Sequence, residues 1–200
     1  KVKNSNLDII KGADVIIWTT TPWTIPANKA LAYNAGLKYV LLEINDNKNF
    51  IDRKIVIAKD LLEPFKKDTS IENIKVLNEF LGKDLKGTVC SHPFSKMGYD
   101  YDIPMLEANF VTTEQGTGIV HCAPSHGPDD FNLCLNNNIK AIETVDGDGK
   151  YTNEIKHFEG LHIFKANNLI IEKLNEQKNL VTNGKLTHSY PHSWRSKAPL

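Results

Sequence analysis

The chain has no net charge: 24 lysines and arginines balance 24 aspartates and glutamates. A domain that grips nucleic acid by its phosphates is usually basic, so any RNA partner is expected to meet this chain only at a short end. Cysteine is scarce. Cys90, Cys122 and Cys134 are too few and too scattered for a disulfide framework, which points to a reduced, intracellular setting. No stretch approaches the roughly 18 consecutive apolar residues that a membrane-spanning helix needs. No apolar run follows Lys1-Val2-Lys3-Asn4 to make a signal peptide. Internal repeats, low-complexity linkers, a P-loop and a dinucleotide fingerprint are all missing. What remains is an ordinary globular composition, 40% hydrophobic and 24% charged, over 200 residues, enough for one domain with a sizeable core. The start at Lys1 and the end at Pro199-Leu200 suggest a piece of a longer chain.

Short β-rich runs recur at Val15–Trp18, Tyr39–Ile44, Lys54–Ala58, Ile74–Leu77 and Gly118–Cys122. Polar or glycine turns separate them, as at Asp146-Gly147-Asp148-Gly149. Many short strands suggest a barrel or a curled sheet. Three helices are expected. One covers Lys59–Lys67, with Leu61, Leu62 and Phe65 on one face. The second covers Pro128–Asn136, with proline and two aspartates in its first turn and an apolar face of Phe131, Cys134 and Leu135. The third covers Ala166–Gln177, with Ala166, Ile170 and Leu174 on one stripe and Leu169 beside it.

Residues 16–28 stand out. An apolar strand runs into Thr19, Thr20 and Thr21, then two proline-interrupted steps, then Asn28. Pro22 and Pro26 cannot donate to a ladder, and they bias Thr21 and Ile25 towards extended backbone. The expectation is a stiff, irregular loop lined with hydroxyls, suited to a small polar ligand. A second stretch, 116–130, carries His121, Cys122, His126 and Asp130 around Pro124, Ser125 and Gly127. His121 ends a strand and Asp130 opens a helix, so both can face one cleft. A histidine with a carboxylate can bind an ammonium or move a proton. Equally, the aspartate can serve the helix dipole and the histidine can pack under a loop. The same residues supply ligand types for zinc, but neighbours on a strand point to opposite faces, which separates His121 from Cys122. No metal site is expected.

Together the two segments resemble the editing domain of isoleucyl-tRNA synthetase. The run from Val120 to Asp130, Val-His-Cys-Ala-Pro-Ser-His-Gly-Pro-Asp-Asp, carries the likeness, with Tyr-Pro-His-Ser-Trp-Arg at 190–195. The threonine-rich motif alone also fits the valyl and leucyl relatives. The likeness runs from about Asp14 to Leu200, and 188–200 looks like the return towards the aminoacylation core. It implies an α+β domain, a β-barrel-like body with peripheral helices, and hydrolysis of valine misattached to isoleucine tRNA in the cytoplasm. The implied partners are the acceptor end of that tRNA and the rest of a synthetase chain. No His-x-Gly-His or Lys-Met-Ser-Lys-Ser signature is present, so ATP and magnesium would serve the longer enzyme and this part would need no cofactor.

By the same resemblance, Thr19, Thr20 and Thr21 position the ester and the attacking water, and Asp130 binds the α-ammonium. His121 forms the wall that blocks the larger isoleucine. Asn28 hydrogen-bonds at the rim near the terminal nucleotide, with His126 also in the substrate-binding set. Trp23 either shapes the entrance or packs. Ser125, Cys122 and Ser193 depart from the family pattern, which more often has glycine, threonine and cysteine there. Two other readings remain: valyl-type editing that removes threonine, and a domain that binds the tRNA end without hydrolysis.

Overall fold

A computed structural model describes residues 1–47 and 49–184. The segment 188–200 lies outside the described residues.

The longest apolar runs form one antiparallel block. Strand β4 (Lys38–Ile44) pairs with β5 (Arg53–Ala58) and with β6 (Ile74–Leu81), and β2 (Asp14–Val15) joins β5 in parallel. Val40, Leu42, Ile44, Ile55 and Ile57 bury one face against Phe50, Phe65 and Ile71. Helix α1 (Leu62–Thr69) brings Phe65, with the preceding tight turn Lys59–Leu61. A second sheet has the order β1 (Val2–Asn4), β7 (Val89–Ser91), β8 (Asp102–Glu107), β3 (Ala30–Tyr33), β9 (Ile119–Cys122). Strands β3 and β8 run parallel; the other pairs are antiparallel. Two mixed sheets with helices make an α+β domain, and among the described residues the sheets do not close into a barrel.

The sheets meet where β9 begins. Ala58 donates its backbone N–H to Thr117 O at 2.8 Å, and the Tyr39 hydroxyl donates to Gly118 O at 2.8 Å. Gly118 has φ +71, and a Cβ there would lie 2.3 Å from Ala58 Cβ. The junction therefore requires glycine for both its backbone and its lack of bulk.

Four strands lie outside the runs expected from the sequence, and a fifth is shorter than expected. β1 and β7 are three residues long, too short for an alternation to show. β3 reads Ala-Leu-Ala-Tyr and is buried on both faces, so it also shows none. β8 contains Pro104 in a strand with neighbours on both sides, where proline argues against a strand. The run Val15–Trp18 is strand only as far as Val15.

Helix α2 covers Pro128–Asn136 as expected, but its apolar face is narrower. Cys134 is fully buried, while Phe131 and Leu135 are exposed. Helix α3 (Ile163–Glu176) buries Ala166, Ile170 and Leu174, the stripe its periodicity predicts. It packs on the segment that follows the threonines, in a core with Ile25, Phe94, Tyr99, Tyr151 and Phe158. Among the described residues no helix is long and apolar enough to cross a membrane.

Candidate functional site

The segment after the threonines is not an extended loop. Pro22–Ala27 forms a tight 3-10 turn, with Pro22 in its first positions and Asn28 at its end. Proline suits a helix start because its missing N–H has no partner there and its φ is already helical. That advantage outweighs the extended bias before Pro26, and Ile25 lies inside the turn.

The turn brings Thr24 to His121. Thr24 is buried, and its hydroxyl lies 2.9 Å from His121 Nε2 and 2.9 Å from Thr21 O. A carbonyl can only accept, so the single hydroxyl proton goes to Thr21 O, and Nε2 carries the proton given to Thr24. His121 Nδ1 is then a bare acceptor, and it is buried without a partner among the described residues. Burial lowers the pKa of the ring to about 4, with a small push from His126, so His121 is neutral at pH 7.

Asp130 sits in the first turn of α2. Its Oδ2 accepts the Ala123 N–H at 2.8 Å, which fastens the helix start to the exit of β9. Its other oxygen makes no hydrogen bond among the described residues. Burial raises its pKa, against the Ala123 N–H, which lowers it. A Cβ on Gly127 would sit 3.4 Å from Asp130 Cγ, so glycine leaves room for the carboxylate. His126 Nε2 lies 2.7 Å from Thr144 Oγ1, and its ring meets Trp23 edge-on at 4.7 Å.

Trp23 is half-buried and tied at both backbone ends. Its N–H donates to Asn167 Oδ1 at 3.0 Å, and its carbonyl accepts from the Tyr151 hydroxyl. Its partly buried indole packs against the core of Ile25, Tyr151 and Phe158. Asn28 is buried, not at a rim. Its N–H donates to Ile25 O at 3.0 Å and its carbonyl accepts from Tyr101 Oη at 3.1 Å. Its side-chain Oδ1, like His121 Nδ1, is a buried acceptor without a partner among the described residues. The threonines are looser: Thr21 N–H donates to Thr19 Oγ1 at 3.0 Å, the two hydroxyls are 3.3 Å apart, and Thr20 is exposed.

Three small networks therefore gather at the exit of β9: Thr21 with Thr24 and His121, Trp23 with His126 and Thr144, and Asp130 with Ala123. Thr24, Thr144, Tyr101 and Asn167 were not evident as partners in the sequence. Thr24 had a signal: with Pro22 read as a helix start, it falls three residues after Thr21. Cys122 turns away into the packing of Ala30, Ala32 and Cys134. No group of three His, Cys, Asp or Glu among the described residues could hold a metal. Two open surface grooves, along β7–β8 and along β6, are lined by none of the site residues.

A family model described as leucyl-tRNA synthetase, editing domain, matches residues 34–183. The chain is 68% identical over 199 residues to an isoleucine–tRNA ligase of Pelagibacter ubique (strain HTCC1062), a match covering 100% of this chain and 22% of that protein. It is 44% identical to the isoleucine–tRNA ligase of Gluconobacter oxydans (strain 621H), covering 96% of this chain and 22% of the relative. The chain thus spans only about a fifth of the curated relatives it matches. Among solved structures, the crystal structure of GlLeuRS-CP1 matches with a TM-score of 0.67 at 15% identity, over 90% of this chain and 87% of that one. The P. falciparum cytosolic leucyl-tRNA synthetase editing domain gives 0.61 at 14% identity, over 85% and 80%. At such identities the likeness speaks for the fold alone. The fold, the family match and the isoleucine–tRNA ligase relatives agree: the chain belongs to the editing-domain family of the aminoacyl-tRNA synthetases.

Proposed function

We propose that the chain hydrolyses the ester between a misattached valine and the terminal ribose of isoleucine tRNA, as the editing part of an isoleucine–tRNA ligase. The observation that carries this reading is a surplus of acceptors at one strand end. Among the described residues His121 Nδ1 and Asn28 Oδ1 are buried and unpaired, one Asp130 oxygen takes no hydrogen bond, and Thr21 joins the set through Thr24 and His121. An aminoacyl ester brings the matching donors: an α-ammonium, ribose hydroxyls and an attacking water.

Asp130 takes the ammonium, whose charge offsets the desolvation that raises the carboxyl pKa. The Thr19–Thr21 hydroxyls hold the ester carbonyl and the water. Water oxygen bonds to the carbonyl carbon, the bond to the ribose oxygen breaks, and the proton passes to that oxygen. Nothing in the set is an activated nucleophile, so orientation of water carries the rate. The reaction requires no cofactor; ATP and magnesium belong to aminoacylation in the longer enzyme. His121, locked by Thr24, walls off the extra methylene of isoleucine. One methylene is worth about 1–3 kcal/mol in an apolar pocket, a value already established for this pair of amino acids in this class of enzyme. A second, smaller site adds to that discrimination. The partners are the acceptor end of the tRNA and the rest of the synthetase, acting in the cytoplasm with translation.

Incubating the protein with valyl-, isoleucyl- and threonyl-tRNA, and following release of the amino acid, tests the proposal. Valine should be released and isoleucine spared. Preferential release of threonine would favour a valyl-type editor, and protection of all three esters would favour a passive binder.

A further inference from the structure

The 3-10 turn that carries Thr24 and Asn28 is six residues long and contains Pro26, which has no N–H to give. Such turns seldom run beyond three or four residues, because their hydrogen bonds are poorly aligned. This one needs support from outside, and part of it comes from a histidine that the hydrolytic set does not use.

His92 follows β7 and is 1% exposed. Its Nδ1 lies 3.0 Å from the Phe94 N–H, which can only donate, and its Nε2 lies 3.1 Å from Ile25 O, which can only accept. The tautomer is therefore fixed: Nδ1 accepts and Nε2–H donates. Ile25 O also accepts the Asn28 N–H at 3.0 Å. The His92 ring stacks on Tyr99, with centroids 4.7 Å apart and planes 13° from parallel, and it meets Tyr101 at 5.4 Å. The Tyr101 hydroxyl holds the Asn28 carbonyl, and the Lys29 N–H donates to Cys122 O at 2.9 Å, next to His121. One aromatic cluster thus grips the backbone on both sides of Asn28.

An apolar side chain would fill this space without the cost of burying a ring that has two polar nitrogens. The histidine supplies a directed donor to a carbonyl that already has one partner. We propose that His92 is a positioning residue: its Nε2–H holds the Ile25 carbonyl, which fixes the end of the turn, the aim of Asn28 Oδ1 and the contact of Thr24 with His121. The inference rests on the hydrolytic reading given above.

Two substitutions separate positioning from packing. In His92→Asn the short amide can still accept from Phe94 N–H but cannot reach Ile25. In His92→Gln the longer amide can donate to Ile25 but loses the Phe94 contact. Valyl-tRNA hydrolysis is measured for each in the full synthetase chain, below the melting temperature of both variants. The expected result for His92→Asn is a loss of about tenfold in kcat, the scale of one hydrogen bond, with KM within about twofold. His92→Gln should stay within about threefold of the parent. Equal rates for the two variants, whether both parental or both reduced, overturn the proposal. If the parent chain leaves valyl-tRNA intact, the hydrolytic reading fails instead. The clamp is then judged by hydrogen exchange at the Asn28 amide. Exchange should speed up about tenfold in His92→Asn and not in His92→Gln; unchanged exchange in both refutes it.

Discussion

Two neighbouring pieces of one segment are held in opposite ways. The turn Pro22–Ala27, with Asn28 at its end, is gripped at three residues: by Asn167 and Tyr151 at Trp23, by His92 at Ile25, and by Tyr101 at Asn28. Among the described residues the run Thr19–Thr21 has only local hydrogen bonds between Thr19 and Thr21, apart from the Thr21 carbonyl that receives Thr24. The first piece sets geometry, and the second offers the exposed Thr20 beside the locally paired hydroxyls of Thr19 and Thr21. A site that must orient water needs both: rigid support behind, and unspent hydrogen-bonding groups in front.

The most severe way to break this contrast is to empty the support. Phe94 is fully buried under the turn, against Tyr99 and Phe158. Phe94→Ala should cost about 3–5 kcal/mol of unfolding free energy in denaturant titration, and hydrolysis should fall with the folded fraction. Thr20→Val does the reverse. Thr20 is exposed, so stability should change by less than about 0.5 kcal/mol, while valine release falls about 10- to 100-fold. A loss of stability in Thr20→Val comparable to that in Phe94→Ala would erase the distinction between the two pieces.

His121→Ala tests the boundary between them, because Thr24 fixes that ring. The pocket should widen, and isoleucyl-tRNA, spared by the parent, should become a substrate. Continued rejection of isoleucine with merely slower valine release would give His121 a different role.

A smaller effect follows from the two neutral rings. Burial holds His92 near pKa 3 and His121 near 4, below the usual 6.5. Below pH 6.5 the unfolded chain binds protons that the folded rings refuse, so stability should fall as pH drops from 6.5 towards 4. Asp130, with its raised pKa, works in the opposite sense above 3.8. Chemical denaturation across this range should show His92→Gln with a shallower slope than the parent; equal slopes would contradict the neutral, buried ring.

Part of this was legible in the sequence. The bounds of α2 follow from Pro128 and the two aspartates, and the buried stripe of α3 from its periodicity. Thr21 does meet His121, through Thr24, and Asp130 is tied to Ala123 at the exit of β9. The support was hidden because it comes from distant residues of ordinary type, such as His92, Tyr101 and Asn167, and no local pattern marks them. The family resemblance placed Asn28 at a rim, and no local pattern spoke against that. The turn instead tucks it under Tyr101. Phe131 and Leu135 were expected to be buried by helical spacing, but α2 meets the core chiefly through Cys134.

The most direct measurement compares free with N-acetylated valyl-tRNA, in the parent chain and in Asp130→Ala. Truncating one partner of a buried charge pair costs about 2–5 kcal/mol. The parent should cleave the free ester and reject the acetylated one, and Asp130→Ala should cleave both equally and slowly, about two to three orders of magnitude below the parent on free ester. Equal cleavage of the two esters by the parent chain would contradict recognition of the ammonium by Asp130, and with it the proposed centre of the site.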